Sequence, residues 1–160
     1  PAEVLEELPE NVDLALREVR FSETREGVRK WMMVADSAAY NAGSGVTNVE
    51  NIRMTFFDRA GHETVKLNSR QGKVQTESGE VTLSGDVVMT SVRGYTIRTE
   101  RLLYRKSDDV ILGDTPVKFS SAWMELSGRK LRLQVQDQQM TLSGDVRTLI
   151  KGNQPRTGQP

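Results

Sequence analysis

The chain contains no cysteine, one histidine and few aromatic residues, the last amounting to 6 % of 160 positions. Without cysteine there are no disulfide staples and no thiolate metal ligands. With one histidine, His62, a zinc site would have to be assembled from carboxylates alone, an unfavourable donor set for that ion. His62 lies in Ala60-Gly61-His62-Glu63, which reads as a hairpin tip, so the imidazole is expected in solvent. No apolar run approaches the ~18 residues that a membrane-spanning helix requires. An excess of either charge is missing as well, because 22 Lys and Arg balance 22 Asp and Glu. That balance excludes the clustered basic footprint of a nucleic-acid-binding protein.

Catalytic constellations are lacking too. Gly43-Ser44-Gly45 has neither the third glycine nor the following helix of a dinucleotide loop, and reads as a turn. Ser127-Gly128-Arg129-Lys130 spells the S-x-x-K spacing of some serine acylases, whose chemistry needs both side chains on one helical face. This segment alternates like a strand, which sends positions three apart to opposite faces. No enzyme, no cofactor and no metal are therefore expected.

What the chain does have is repetition. Thr82-Leu83-Ser84-Gly85-Asp86-Val87 recurs intact at Thr141-Leu142-Ser143-Gly144-Asp145-Val146, 59 residues later. Extended backwards, residues 67–87 and 126–146 agree at 9 of 21 positions. A fixed-offset match of this kind points to an array of structural units. Units rich in Thr, Val and Leu that end in Gly-Asp are β units.

Alternating apolar positions run through the chain from residue 12 to residue 150. Leu14 and Leu16 alternate, then Val19 and Phe21, with a parity slip at Arg17–Glu18 that predicts a β-bulge. Turns are expected at Glu26-Gly27, Asp58–Gly61 and Arg93-Gly94. Small residues mark equivalent places at Ala35, Ser69, Thr99 and Gly128, and five residues after each stands Tyr40, Val74, Tyr104 or Leu133. Each unit then closes at Val49-Glu-Asn51, Leu83-Ser-Gly85, Ile111-Leu-Gly113 or Leu142-Ser-Gly144. Long strands kinked once per unit at a shared level curl into a trough with an apolar concave face. Asp86, Asp114 and Asp145 follow the bends, where Asx-type hydrogen bonds are expected. The organisation reads as a lead-in over 1–11, with Val4, Leu5 and Leu8 at helical spacing, one all-β domain over 12–150 and a disordered tail over 151–160. The chain begins with Pro rather than Met, so a removed upstream segment is expected.

Leu16-Arg-Glu-Val-Arg-Phe21, Gly27 and Trp31-Met-Met-Val-Ala35-Asp-Ser-Ala-Ala-Tyr40 resemble the N-terminal part of the LptC family, the periplasmic component of lipopolysaccharide export. Leu83-Ser-Gly-Asp-Val87, Gly94-Tyr95, Thr99–Tyr104, Asp114-Thr-Pro-Val117 and Glu125-Leu-Ser-Gly128 fit the same family over roughly residues 12–150. The resemblance implies an open, twisted β-jellyroll (a β-taco) that holds lipopolysaccharide acyl chains inside. It implies docking to an inner-membrane ABC transporter complex at the N-terminal side and to a periplasmic bridge subunit at the C-terminal edge. It also implies a periplasmic location with tethering by an N-terminal helix, which this chain does not contain.

On this reading the trough interior is Trp31, Met33, Phe56, Leu67, Leu83, Val87, Met89, Ile97, Phe119, Leu126, Leu133 and Leu142. Each buried methylene contributes about 0.8 kcal/mol, so acyl chains could be held without specific polar contacts. The docking edges are Leu14, Leu16, Val19, Phe21 and Gly27 at one end, and Met140, Leu142 and Val146 at the other. Open edges recruit partner strands, including those of a second copy in a homodimer. The alternative is a structural β-array that bridges proteins through its edges, its apolar side chains simply filling a core.

Overall fold

The computed structural model describes Glu3–Val4 and residues 12–151. Among the described residues thirteen antiparallel strands form one sheet: β1 Glu3–Val4, β2 Leu14–Arg25, β3 Val28–Asn41, β4 Val46–Phe57, β5 Glu63–Gln75, β6 Val81–Ser91, β7 Tyr95–Arg105, β8 Val110–Gly113, β9 Val117–Ser121, β10 Met124–Gly128, β11 Lys130–Gln134, β12 Met140–Ser143 and β13 Arg147–Ile150. Consecutive strands pair from β1 to β8, as tight turns dictate. At the β2–β3 turn Glu26 and Gly27 both have positive φ (53° and 78°), the backbone of a two-residue hairpin loop that matches strand twist. The β4–β5 turn is held by Asp58, whose Oδ1 accepts from the backbone N–H groups of Ala60 and His62.

Each long strand bends once. The bends occur at Glu18 (φ 53°), Asn51 (φ 53°), Gly85-Asp86 (φ 83° and 53°) and Gly144-Asp145 (φ 83° and 49°). Left-handed backbone is cheap for Gly and tolerated by Asn and Asp, which explains the residues found there. The bends line up across the sheet. Arg17 pairs Ser37 and Val19 pairs Ala35, with Glu18 and Asp36 left between, and Asn51 stands between Glu50–Gln71 and Ile52–Ser69 in the next ladder but one. Farther on, the chain breaks outright. Residues 114–116, ending in Pro116, separate β8 from β9, Arg129 separates β11 from β10, and residues 144–146 separate β12 from β13. Thr99 secures the first break, its hydroxyl 2.7 Å from that of Thr115 and donating to Pro116 O.

The line of bends is a hinge that folds the sheet into two arms. One arm carries the segments 14–17, 37–41, 46–50, 71–75, 81–84 and 101–105 with β8, β11 and β12; the other carries the remaining halves with β9, β10 and β13. Their facing surfaces form one continuous apolar core. The expected all-β jellyroll of long, commonly kinked strands is what the molecule adopts.

Several local expectations need correction. Glu3–Val4 is a strand paired with Leu16 and Arg17, not a helical turn; Leu5 and Leu8 lie outside the described residues. The first edge strand is therefore not open along its whole length. In β2 the buried residues before the bend are Ala15 rather than Leu14, which is 39 % exposed. Pairing on both sides of Glu18 keeps one register, so the bend there inserts no residue. A true bulge occurs instead between β5 and β6, where Asn68–Val88 and Gln71–Ser84 leave two residues facing three. At Asp86 and Asp145 the left-handed backbone itself makes the bend, and the carboxylates face arginines, Arg70 at 4.0 Å and Arg147 at 3.4 Å. In the third unit the residue level with Leu83 and Leu142 is Gly113, two positions beyond the expected Ile111. Lys151 is held in place by its N–H to Trp123 O; the tail from residue 152 lies outside the described residues.

Candidate functional site

Strand register arranges the interior in rows that run across the strands. The longest reads Phe21, Met33, Met54, Leu67, Met89, Ile97, Phe119, Leu126 and Thr148, with each residue opposite the next. Six of the expected interior residues fall on this row of the second arm. Trp31 and Phe56 lie on the row outside it, and Val87 stands one step toward the hinge. In the first arm Leu83 and Leu142 share a row with Val49, Gly72, Leu102, Gly113 and Leu131, while Leu133 belongs to the row of Tyr40, Val74, Val81, Tyr104 and Ile111. Gly72 lets that first-arm row close, because a Cβ there would stand 2.4 Å from Ile52 Cδ1.

The two arms meet in this structure. Ten of the twelve residues named for the interior are buried, and Leu126 and Leu142 are half-buried against the same core. What separates the interior from solvent at the far tips of the arms is a polar clasp. Lys30 Nζ, next to the β2–β3 hairpin, donates to Asp109 Oδ2 at 3.0 Å, and Lys106 Nζ lies 2.9 Å from Glu23 Oε2. Asp109 Oδ1 accepts from the Tyr104 hydroxyl (2.8 Å), and Oδ2 also accepts from Gln136 Nε2 (3.2 Å). The Lys30 and Asp109 side chains are only 15 % and 13 % exposed. Burial, and then the neighbouring Asp109 carboxylate, push the Tyr104 phenol well above its ordinary pKa of 10, so it remains a donor. A second tip contact joins Gln138 Oε1 to the hydroxyls of Ser91 and Tyr95. Phe56 meets Tyr104 edge to face beneath the first contact, with ring centres 5.0 Å apart.

Among the described residues, two buried side-chain polar atoms have no hydrogen-bond partner, Trp31 Nε1 and Glu23 Oε1. The two residues are opposite each other in the β2–β3 ladder. The Arg25 guanidinium stands 3.7 Å from Glu23 Oε1.

The edges differ. Beyond the β1 contact, Val19 and Phe21 belong to the outermost long strand, with Val19 buried and Phe21 packed on the core. Gly27 occupies the hairpin turn beside the clasp rather than a strand edge. At the other end Met140 and Leu142 lie in β12, paired only with β11, and Val146 precedes β13, paired only with β10. Val146, Leu149 and Ile150 are exposed there, at a strand whose outer edge has no partner among the described residues. A shallow groove beside that strand is lined by Arg98, Lys118, Glu125 and Arg147.

A kinked all-β jellyroll with this order of units matches a known family model. The model for lipopolysaccharide-assembly, LptC-related proteins matches residues 1–151. The chain belongs to that family. No curated protein sequence shows a significant match to it. Membership gives this LptC-family chain a role in lipopolysaccharide transport as a periplasmic bridge component. Among its described residues no helix is long and apolar enough to cross a membrane.

Sequence reasoning missed the clasp of this LptC-family jellyroll. One signal was available: Glu23 continues the Val19, Phe21 alternation and so places a carboxylate on the inward face, where a charge requires a partner. Its partner Lys106 is 83 residues away, and nothing local names it.

Proposed function

We propose that this LptC-family jellyroll carries lipopolysaccharide by receiving acyl chains between its two arms and handing them to the next bridge subunit. The observation that supports this is the unbroken apolar row from Phe21 to Leu126, which crosses the strands as a track would and lies behind polar contacts at the arm tips. Hinge bending exchanges contacts between the apolar faces for contacts with acyl chains, so the apolar area removed from water is conserved. The motor lies elsewhere, in the inner-membrane ABC transporter complex docked at the N-terminal side. The open edge of β13, with Val146 just before it and Leu149 and Ile150 exposed on it, receives the periplasmic bridge subunit by strand addition. The same strand can pair with a second copy of the chain as a homodimer. Tethering to the inner membrane would come from an N-terminal helix outside the given sequence.

Photo-crosslinkers placed at Phe56 or Leu83, both buried, and at the exposed Arg98 test the reading in cells that export lipopolysaccharide. Lipopolysaccharide adducts at Phe56 and Leu83 with none at Arg98 are expected. Adducts at Arg98 alone would overturn it, and the absence of adducts at all three sites would favour a dry structural bridge.

A further inference from the structure

We propose that Trp31 Nε1 and Glu23 Oε1 form a subsite for a hydroxyl group on the acyl ligand. The inference rests on the lipid reading above and adds a specificity to it. Trp31 is 95 % buried, yet its only polar atom donates to nothing, and the inner oxygen of Glu23 accepts nothing. Buried polar groups are almost always paired, so two adjacent orphans of opposite character call for an occupant. The other Glu23 oxygen is committed to Lys106 at 2.9 Å, while Oε1 faces the Arg25 guanidinium at 3.7 Å, too long for a hydrogen bond.

The chemistry of the two atoms defines the group they take. An indole N–H only donates and a carboxylate oxygen only accepts. A plain hydrocarbon chain leaves both unpaired. A ligand carboxylate or phosphate meets the Glu23 charge, and an ammonium cannot accept from Trp31. A hydroxyl does both with one oxygen, donating to Glu23 Oε1 and accepting from Trp31 Nε1 across a single rung of the ladder. Beyond Trp31 the row continues into Phe56 and Val65, and beside it runs the Met33 and Met54 row, so the rest of the chain lies on apolar surface. The subsite is at the arm tips beside the Lys30–Asp109 contact, so the hydroxyl it reads is one close to the polar head of the lipid.

The test compares hexadecanoate with its β-hydroxylated counterpart as competitors of a fluorescent fatty acid bound to the full chain. The wild-type protein is expected to bind the hydroxylated chain about tenfold more tightly, the effect of two hydrogen bonds made in place of two orphans. Trp31→Phe removes the donor and keeps an aromatic ring; Glu23→Met removes the acceptor and keeps the length. Both should lose the preference, read as the ratio of the two affinities within each variant, with folding checked by thermal melting. Equal affinity of wild type for the two chains, or a preference that survives in both variants, would overturn the subsite while leaving the lipid reading intact. Failure of wild type to bind either chain would overturn both.

Discussion

Replacing Asp109 by Asn tests whether the arms are held shut by charge. Asn also tolerates the left-handed backbone found at this position (φ 55°), so the turn is preserved. It keeps an oxygen for the Tyr104 hydroxyl and removes only the negative charge 3.0 Å from Lys30 Nζ. Two unit charges at that distance attract by roughly 5 kcal/mol at an effective dielectric of about 20, but desolvation of both groups offsets much of this. With side chains 15 % and 13 % exposed, the net loss expected is that of a charge-assisted hydrogen bond, about 2 kcal/mol. Urea unfolding should show it as a lower midpoint at unchanged slope, and heating as a fall of roughly 4–8 °C for a chain of this size. Combining Asp109→Asn with Lys30→Met should cost much less than the sum of the single changes. Asp108→Asn is the control: Asp108 pairs with Arg105 at the surface, 39 % exposed, where solvent screens the pair and no resolvable loss is expected. A change below about 0.5 kcal/mol for Asp109→Asn, or strict additivity with Lys30→Met, would refute the clasp.

Gly72→Val should destabilise by about 1–3 kcal/mol in the same unfolding assay, because the new Cβ would stand 2.4 Å from Ile52 Cδ1 and 3.3 Å from Leu83 Cδ2 in a filled row. Backbone N–H donation from His62, and secondarily Ala60, holds the Asp58 carboxyl below its ordinary 3.8. A depressed folded-state value means stabilisation that is present above pH 3.8 and lost as pH falls through the folded value. Asp58→Asn should therefore flatten the stability profile below pH 3.8 and leave the slope near neutrality unchanged, as pH-dependent melting would show.

The repeat was legible because each row needs the same kind of residue on successive strands. Ala35, Ser69, Thr99 and Gly128 stand one step from the hinge on their strands. Tyr40, Val74, Tyr104 and Leu133 belong to a single row. The interior of the site followed from the same alternation. Less legible was β2, where Leu14 and Leu16 flank a smaller alanine; hydrophobicity favoured the leucines, while register set by Tyr40, Ala39 and Ala38 turned Ala15 inward. The third unit slipped by two residues because Pro116 and Thr115 end β8 early, at Gly113, and the chain supplies no left-handed residue there to mark the bend. The clasp left only one trace, the inward-facing Glu23, and its partners were not legible. Lys30 and Asp109 are 79 residues apart, and only the closure of the two arms brings them together.

The left-handed residues have one further consequence. They occur at Glu18, Asn51 and Asp86, on β2, β4 and β6, while β3, β5 and β7 follow passively through the ladder. The inheritable unit of the hinge is thus a hairpin. Strands lie about 4.8 Å apart, so the cavity of a jellyroll of this design can lengthen or shorten only in steps of about 10 Å. Relatives that differ in capacity should differ by whole hairpins, and a duplicated segment such as residues 52–86 carries its own bend into the longer molecule.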